Sequence, residues 1–235
     1  MPAREEAGLQ LTFHPLTPDR FADLESLFGP HGAAGGCWCM WWRRTAKEFS
    51  ASMGEENRTA LRALVETGAE PGILAYADGE PVGWCALAPR SEYVRLARSR
   101  SLRPIDDEPV WSITCFFVAR SFRRRGVTRE LIEAACDVAR QRGGRMVEAY
   151  PVAPDDKGYP AAFAYPGLLS AFLACGFVEV ARPSAHRAIV RRVFRPQRRA
   201  GCGARSRERE GSPRLRARGQ RTRRNLLPSP SRRSA

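Results

Sequence analysis

Long apolar runs are missing from this 235-residue chain. The longest, such as ITCFFVA (residues 113–119), fall far short of the roughly 20 residues that a membrane-crossing helix needs. The opening MPAREEAGLQ has no apolar signal core. Membrane insertion is therefore not expected, and the cytoplasm is the expected location. Ligands for metals are scarce too. There are three histidines, and the seven cysteines (37, 39, 85, 115, 136, 175 and 202) form no paired framework. Cys37 and Cys39 with His31 are the one suggestive group, but no second cysteine pair stands at zinc-site spacing, so no metal is expected. Several cysteines sit inside apolar segments, as small hydrophobes do in a reducing compartment.

Acidic residues are outnumbered, 25 against 39 basic ones, for a net charge of +14. The shortage is local. Beyond Phe194 there are 14 arginines and only Glu208 and Glu210, a net charge of +12, which leaves +2 for residues 1–194. Two parts are expected: a domain at 1–194, large enough to bury a core, and a disordered Arg-, Gly-, Ser- and Pro-rich tail at 195–235. The tail could hold nucleic acid without sequence preference through phosphate contacts. A dispensable, solvated appendage is the simpler reading.

Within the domain, periodicity separates helices from strands. LQLTF (9–13) alternates like a strand, and TPDRFADLESLF (17–28) forms a helix with Thr17 as cap and Pro18 in its first turn. Residues 47–68 read as one helix ending at Gly68. Residues 72–89 form a hairpin around Asp78-Gly79. VWSITCFFV (110–118) reads as a strand buried on both faces. An amphipathic helix follows, with Val127, Leu131, Ala134, Ala135 and Val138 on one face, then the strand RMVEAYPV (145–152). Strand, helix and strand make a βαβ unit, so the two strands should be parallel. A short helix (LLSAFLACG) and two strands (FVEVAR and AIVRRVF) complete the domain.

The turn between the buried strand and its helix reads RRRGVT, residues 123–128. A helix start at such a turn exposes unpaired N–H groups at its positive end, which makes an anion site. Gly126 lets a ligand approach the backbone, and the arginines add charge-assisted contacts. This stretch resembles the signature of the GNAT acetyltransferase superfamily, Gln/Arg-x-x-Gly-x-Gly/Ala, as Arg123, Gly126 and Thr128. Val118 and Phe122 match the valine and aromatic that usually precede it, and FLACGF resembles the family's late helix ending in Gly-Phe. The resemblance implies a mixed α/β fold: a mostly antiparallel sheet of about seven strands, a splayed parallel central pair, and flanking helices. It also implies acetyl-CoA as donor. The pyrophosphate would lie on the turn (Arg123, Arg124, Arg125, Gly126, Val127, Thr128, Arg129) and the pantetheine arm along Phe117 and Val118.

Acyl transfer to an amine needs a group to take the amine's proton and another to protonate the leaving thiolate. Many members of the superfamily carry a carboxylate on the fourth strand and a tyrosine in the late helix. The matching positions here are Ser112 and Phe172. Glu148, an acid inside an apolar strand, is the candidate base, with pairing to a nearby arginine as the alternative. Tyr165 is the candidate acid. Trp38, Trp41 and Trp42, in GGCWCMWWRR, are candidates for an aromatic acceptor pocket or for core packing. The expected activity is N-acetylation of a small-molecule or peptide amine. A nucleic-acid-associated protein acting through the tail and a non-catalytic acyl-CoA-binding domain are the alternatives. The oligomeric state, a homodimer included, stays open.

Overall fold

The computed structural model describes residues 9–154 and 163–194. Residues 1–8, residues 155–162 and the Arg-rich tail lie outside the described residues. Seven strands form one sheet in the order β1-β2-β3-β4-β5-β7-β6. They are β1 (Thr12–Pro15), β2 (Gly72–Ala77), β3 (Glu80–Pro89), β4 (Trp111–Val118), β5 (Met146–Ala149), β6 (Val178–Ser184) and β7 (Arg187–Val193). Every neighbouring pair is antiparallel except β4 and β5, which are parallel. The parallel pair follows from its connection, since the 15-residue helix α5 (Val127–Gln141) crosses over between them. The β2–β3 turn places Asp78 at φ 51° and Gly79 at φ 83°, the left-handed pair that a two-residue hairpin needs.

Five further helices flank the sheet: α1 (Phe21–Phe28), α2 (Ala46–Ala51), α3 (Glu55–Glu66), α4 (Val94–Arg98) and α6 (Leu169–Ala174). Helix α5 buries Val127, Leu131, Ile132, Ala135 and Ala139 on one face of the sheet, where α6 adds Phe172. On the other face α1, α3 and the segment at 38–40 pack over Leu74, Trp84 and Ala86. A third cluster, Trp42, Ala88, Tyr93, Leu96, Leu102, Tyr150 and Ile189, continues that face toward β5 and β7.

The helix expected over 47–68 is two helices. Thr45 and Glu48 form a capping box at the start of α2. The chain then breaks at Gly54, whose φ of 75° is left-handed and whose N–H donates to Gly36 O at 3.0 Å. A Cβ on Gly36 would stand 2.5 Å from Gly54 N, so two glycines let the loop after α1 cross directly beneath the break.

Two irregularities in β4 position the site. Opposite β3, Ala86 pairs with Cys115 and Leu87 with Ile113, which leaves Thr114 as a bulge. Opposite β5, pairing runs only from Trp111↔Val147 to Ile113↔Ala149. The remainder of β4, through Val118, has left its parallel neighbour.

Candidate active site

At the far end of β4 lies the basic turn. Gly126 adopts φ 85°, ψ −10° as the residue before α5, and Arg124 is also left-handed at φ 62°. Gly126, Val127 and Thr128 begin the helix, so their N–H groups have no acceptor within it. Arg129 N–H turns back to Gly126 O at 2.8 Å. A Cβ built on Gly126 would meet no atom within 4 Å, so the space beside this glycine is open. Val127 is buried under the sheet, whereas Arg123, Arg124 and Arg125 are exposed. Arg123 Nε donates to Val118 O at 3.0 Å, and the Arg125 guanidinium lies 5.1 Å from the Phe122 ring centre. The turn is open, basic and rich in N–H donors, which suits a diphosphate.

Between this turn and the last β4–β5 pair, Phe116 N–H donates to Tyr165 O at 2.7 Å. The same segment is tied to the chain beyond β5, since Val152 N–H donates to Gly167 O and Leu169 N–H to Val152 O. Phe117 projects to the α1 side, its ring 5.4 Å from that of Phe28. Val118 packs on the α5 side.

Where β4 and β5 are still paired, a buried polar chain crosses the sheet. Parallel register sets Ser112 beside Glu148. Tyr150, just past β5, places its hydroxyl 3.0 Å from Ser112 Oγ and donates to Glu148 Oε1 at 2.6 Å. Arg90 Nη1 pairs with the same carboxylate oxygen at 2.8 Å and also contacts the Tyr150 hydroxyl. Arg191 Nε holds Glu148 Oε2 at 2.7 Å, and its Nη1 reaches Asp106 Oδ2 at 2.5 Å. Glu148 is thus an inward acid with a guanidinium on each oxygen. Burial, reinforced by the Glu148 charge, pushes the Tyr150 phenol well above its usual pKa, so it stays protonated. For Arg191, burial acts against the charge, but the bonds from Asp106 and Glu148 prevail and raise it.

Tyr165, the candidate acid, packs against the cluster that holds Tyr150, Tyr93 and Trp42, so the structure brings it to the same face as Glu148. The three tryptophans part company. Trp38 is buried beside Phe28 in the α1 cluster. Trp41 is exposed, with the Arg95 guanidinium 3.8 Å from its ring centre. Trp42 lies in the Tyr150 cluster with its indole Nε1 buried and unpaired. Among the described residues no three or more His, Cys, Asp or Glu side chains gather to hold a metal, and no helix is long and apolar enough to cross a membrane.

The sequence pattern of the acetyltransferase (GNAT) family matches residues 38–160, more than half of the chain. The chain belongs to the GNAT acetyltransferase family. Solved structures with a similar fold include the PaiA N-acetyltransferase of Thermoplasma acidophilum in complex with coenzyme A. It is 11% identical, with 79% of this chain and 100% of that one covered and a TM-score of 0.46. A GNAT-family acetyltransferase of Streptococcus agalactiae is 11% identical over 80% of this chain and 98% of its own, with a TM-score of 0.48. Ard1 of Thermoplasma volcanium is 17% identical over 78% and 97%, with a TM-score of 0.44. No curated protein matches the sequence.

This GNAT domain therefore has the mixed sheet and the parallel central pair that the resemblance implied. Sequence reasoning missed Tyr150, Arg90 and Tyr93. Tyr150 carried a signal, because it stands two residues after Glu148 and so shares that residue's face of an extended chain. Arg90 and Tyr93 carried none, since they sit in a connection whose course only the fold sets.

Proposed function

We propose that this GNAT acetyltransferase takes its acetyl group from acetyl-CoA and transfers it to an amine of a small molecule or peptide. The observation that carries this reading is the opening of β4 from β5 after Ile113↔Ala149. It joins the exposed Gly126 turn at one end to the Tyr150–Glu148–Ser112 chain at the other. The turn's N–H groups and Arg123, Arg124, Arg125 and Arg129 would hold the diphosphate, with Val127 and Thr128 at the helix start. The free edge of β4 at Phe117 and Val118 would guide the arm that bears the thioester.

In the transfer, the amine nitrogen bonds to the acetyl carbon and the carbon–sulfur bond breaks. The proton lost by the amine passes to Glu148 through the Tyr150 hydroxyl, and Tyr165 protonates the departing sulfur. Taking that proton requires Glu148 to loosen one guanidinium contact. Trp42 lines the acceptor side, while Trp38 and Trp41 frame the segment that carries it. Residues 1–194 form the catalytic domain of a cytoplasmic protein, and 195–235 an appended basic tail.

Release of thiol from acetyl-CoA across a panel of amines, amino acids and aminoglycosides tests the reading. Binding of acetyl-CoA without release in any case would point to the non-catalytic alternative, which the double ion pairing of Glu148 favours. The tail charge of +12 favours an additional, sequence-independent hold on nucleic acid.

A further inference from the structure

We infer that the acceptor carries a carboxylate close to its amine, and that Arg43, Trp42 and Tyr93 receive that carboxylate beside the Thr114 bulge. This rests on the acyl-transfer reading of the β4–β5 opening and names the substrate class that opening serves.

Among the described residues, five buried side-chain polar atoms lack a hydrogen-bond partner. Four of them are Trp42 Nε1, Arg43 Nη2, the Tyr93 hydroxyl and Thr114 Oγ1. They are neighbours. The Arg43 guanidinium lies 4.9 Å from the Tyr93 ring centre, and Trp42 shares an apolar cluster with Tyr93. The hydroxyls of Tyr93 and Thr114 lie within reach of one another and partly answer each other, which leaves Trp42 Nε1 and Arg43 Nη2 as the donors without an acceptor. A buried donor without a partner is unfavourable, more so when charged, so two of them beside the Tyr93–Thr114 pair mark a place with hydrogen bonds still to give.

Their chemistry says what that is. An indole N–H and a guanidinium N–H can only donate. Burial pushes the Tyr93 phenol up, so it too keeps its proton to give. The group is short of acceptor oxygens and of negative charge. Arg43 spends Nη1 on Glu92 at 2.7 Å, and its side chain is only 8% exposed, which leaves Nη2 as an unused cationic donor indoors. A carboxylate offers two oxygens and one charge to such a fork.

Arg43 links this group to a charged cleft. Arg43 also walls a cleft of about 930 Å³ together with Arg44, Lys47 and Arg98, against Glu48 as its one acid. Glu48 is already bound in the capping box of α2. A cleft lined by one sign of charge concentrates ligands of the other. Thr114 directly follows the last β4–β5 pair, so a carboxylate held there lies a few bonds from an amine at the opening. That separation fits an amino acid.

The test uses the full chain with acetyl-CoA and matched acceptors, each amino acid beside its own carboxamide, compared at equal free-amine concentration. The acids are expected to exceed the amides in kcat/KM by about 10- to 100-fold, chiefly through KM, as loss of hydrogen bonds to a charged group implies. Arg43→Gln should bring that ratio close to one. Tyr93→Phe, which keeps the ring and so the packing, should lower it severalfold. Equal rates for acids and amides in the unaltered protein would overturn the inference and leave the acetyltransferase reading intact. Absence of turnover together with calorimetric binding of acids, weakened by Tyr93→Phe, would uphold the carboxylate site and defeat the transfer reading. Neither turnover nor carboxylate binding would overturn both.

Discussion

The two ends of the β4–β5 opening are built in opposite ways. The turn at Arg123–Arg129 is one contiguous stretch, exposed apart from Val127 and the half-buried Thr128, and its donors are backbone N–H groups supplied by the start of a helix. The other end is assembled from residues scattered along the chain: Trp42 and Arg43 before α2, Arg90 and Tyr93 after β3, Ser112 and Thr114 on β4, Glu148 on β5 with Tyr150 just past it, and Arg191 on β7. There the donors are side chains, and nearly all are buried. A backbone site makes few demands on residue identity beyond its glycine. A side-chain site depends on each member, because removing one strands its partners without water. If, as proposed, the turn holds the acyl donor and the buried end serves the acceptor, the turn should tolerate change in any residue except Gly126, while the buried end should register every change as lost stability, lost turnover or both.

The largest effect is expected at Gly126. Gly126→Trp fills the open space beside residue 126 and should abolish binding of acetyl-CoA by calorimetry. Its cost to the fold should be only about 1–2 kcal/mol, for a side chain placed at positive φ. Unchanged affinity in the folded variant would remove the turn from the site.

Glu148→Gln probes the other end. It leaves Arg90 and Arg191 facing a neutral amide in a buried setting, and breaking such a pair costs about 3–5 kcal/mol. Denaturant unfolding should show that loss, and thiol release should fall while acetyl-CoA affinity holds. Part of the rate should return at high pH, where more of the amine is already free of its proton. A variant of full stability and activity would break the contrast drawn above.

A smaller change should follow Arg123→Ala. The side chain is exposed and already bonded to Val118 O, so its removal should weaken acetyl-CoA binding only a fewfold and leave the helix entrance in place. A loss as deep as that of Gly126→Trp would show the turn to depend on side chains after all. The smallest effect is expected from ending the chain near Pro196: unchanged folding, cofactor affinity and turnover. The shortened protein, at a net charge near +2, should lose the salt-sensitive retention on DNA or RNA expected of the full chain.

The same contrast explains what could be read from sequence. The strands, the βαβ unit and the glycine turn were legible because each rests on local pattern: alternation, helical spacing, or a glycine at a strand-to-helix junction. Ser112 and Glu148 were each singled out alone, but the register that sets them side by side belongs to the sheet. Glu148 meets Arg90 across 58 residues and Arg191 across 43, and no spacing rule reaches that far. The break at Gly54 was hidden for a related reason. Leu61, Leu64 and Val65 keep helical spacing up to Gly68, and only the crossing of Gly36 beneath residue 54 shows why the helix must stop and restart.

An interior strand that loses its neighbour halfway becomes, for its last residues, an edge strand, and exposed edges invite pairing with other chains. Beyond Ile113 this one is closed at separate points, by the Tyr165 carbonyl on Phe116 N–H and by the Arg123 side chain on Val118 O. A foreign strand would have to displace both at once and find a straight ladder behind them. The slender acyl-donor arm proposed for this edge would exchange them one at a time, each for a bond of its own at a net difference of about 1 kcal/mol or less. On the proposed reading, the same two contacts that shut the edge to a foreign strand would leave it open to the cofactor.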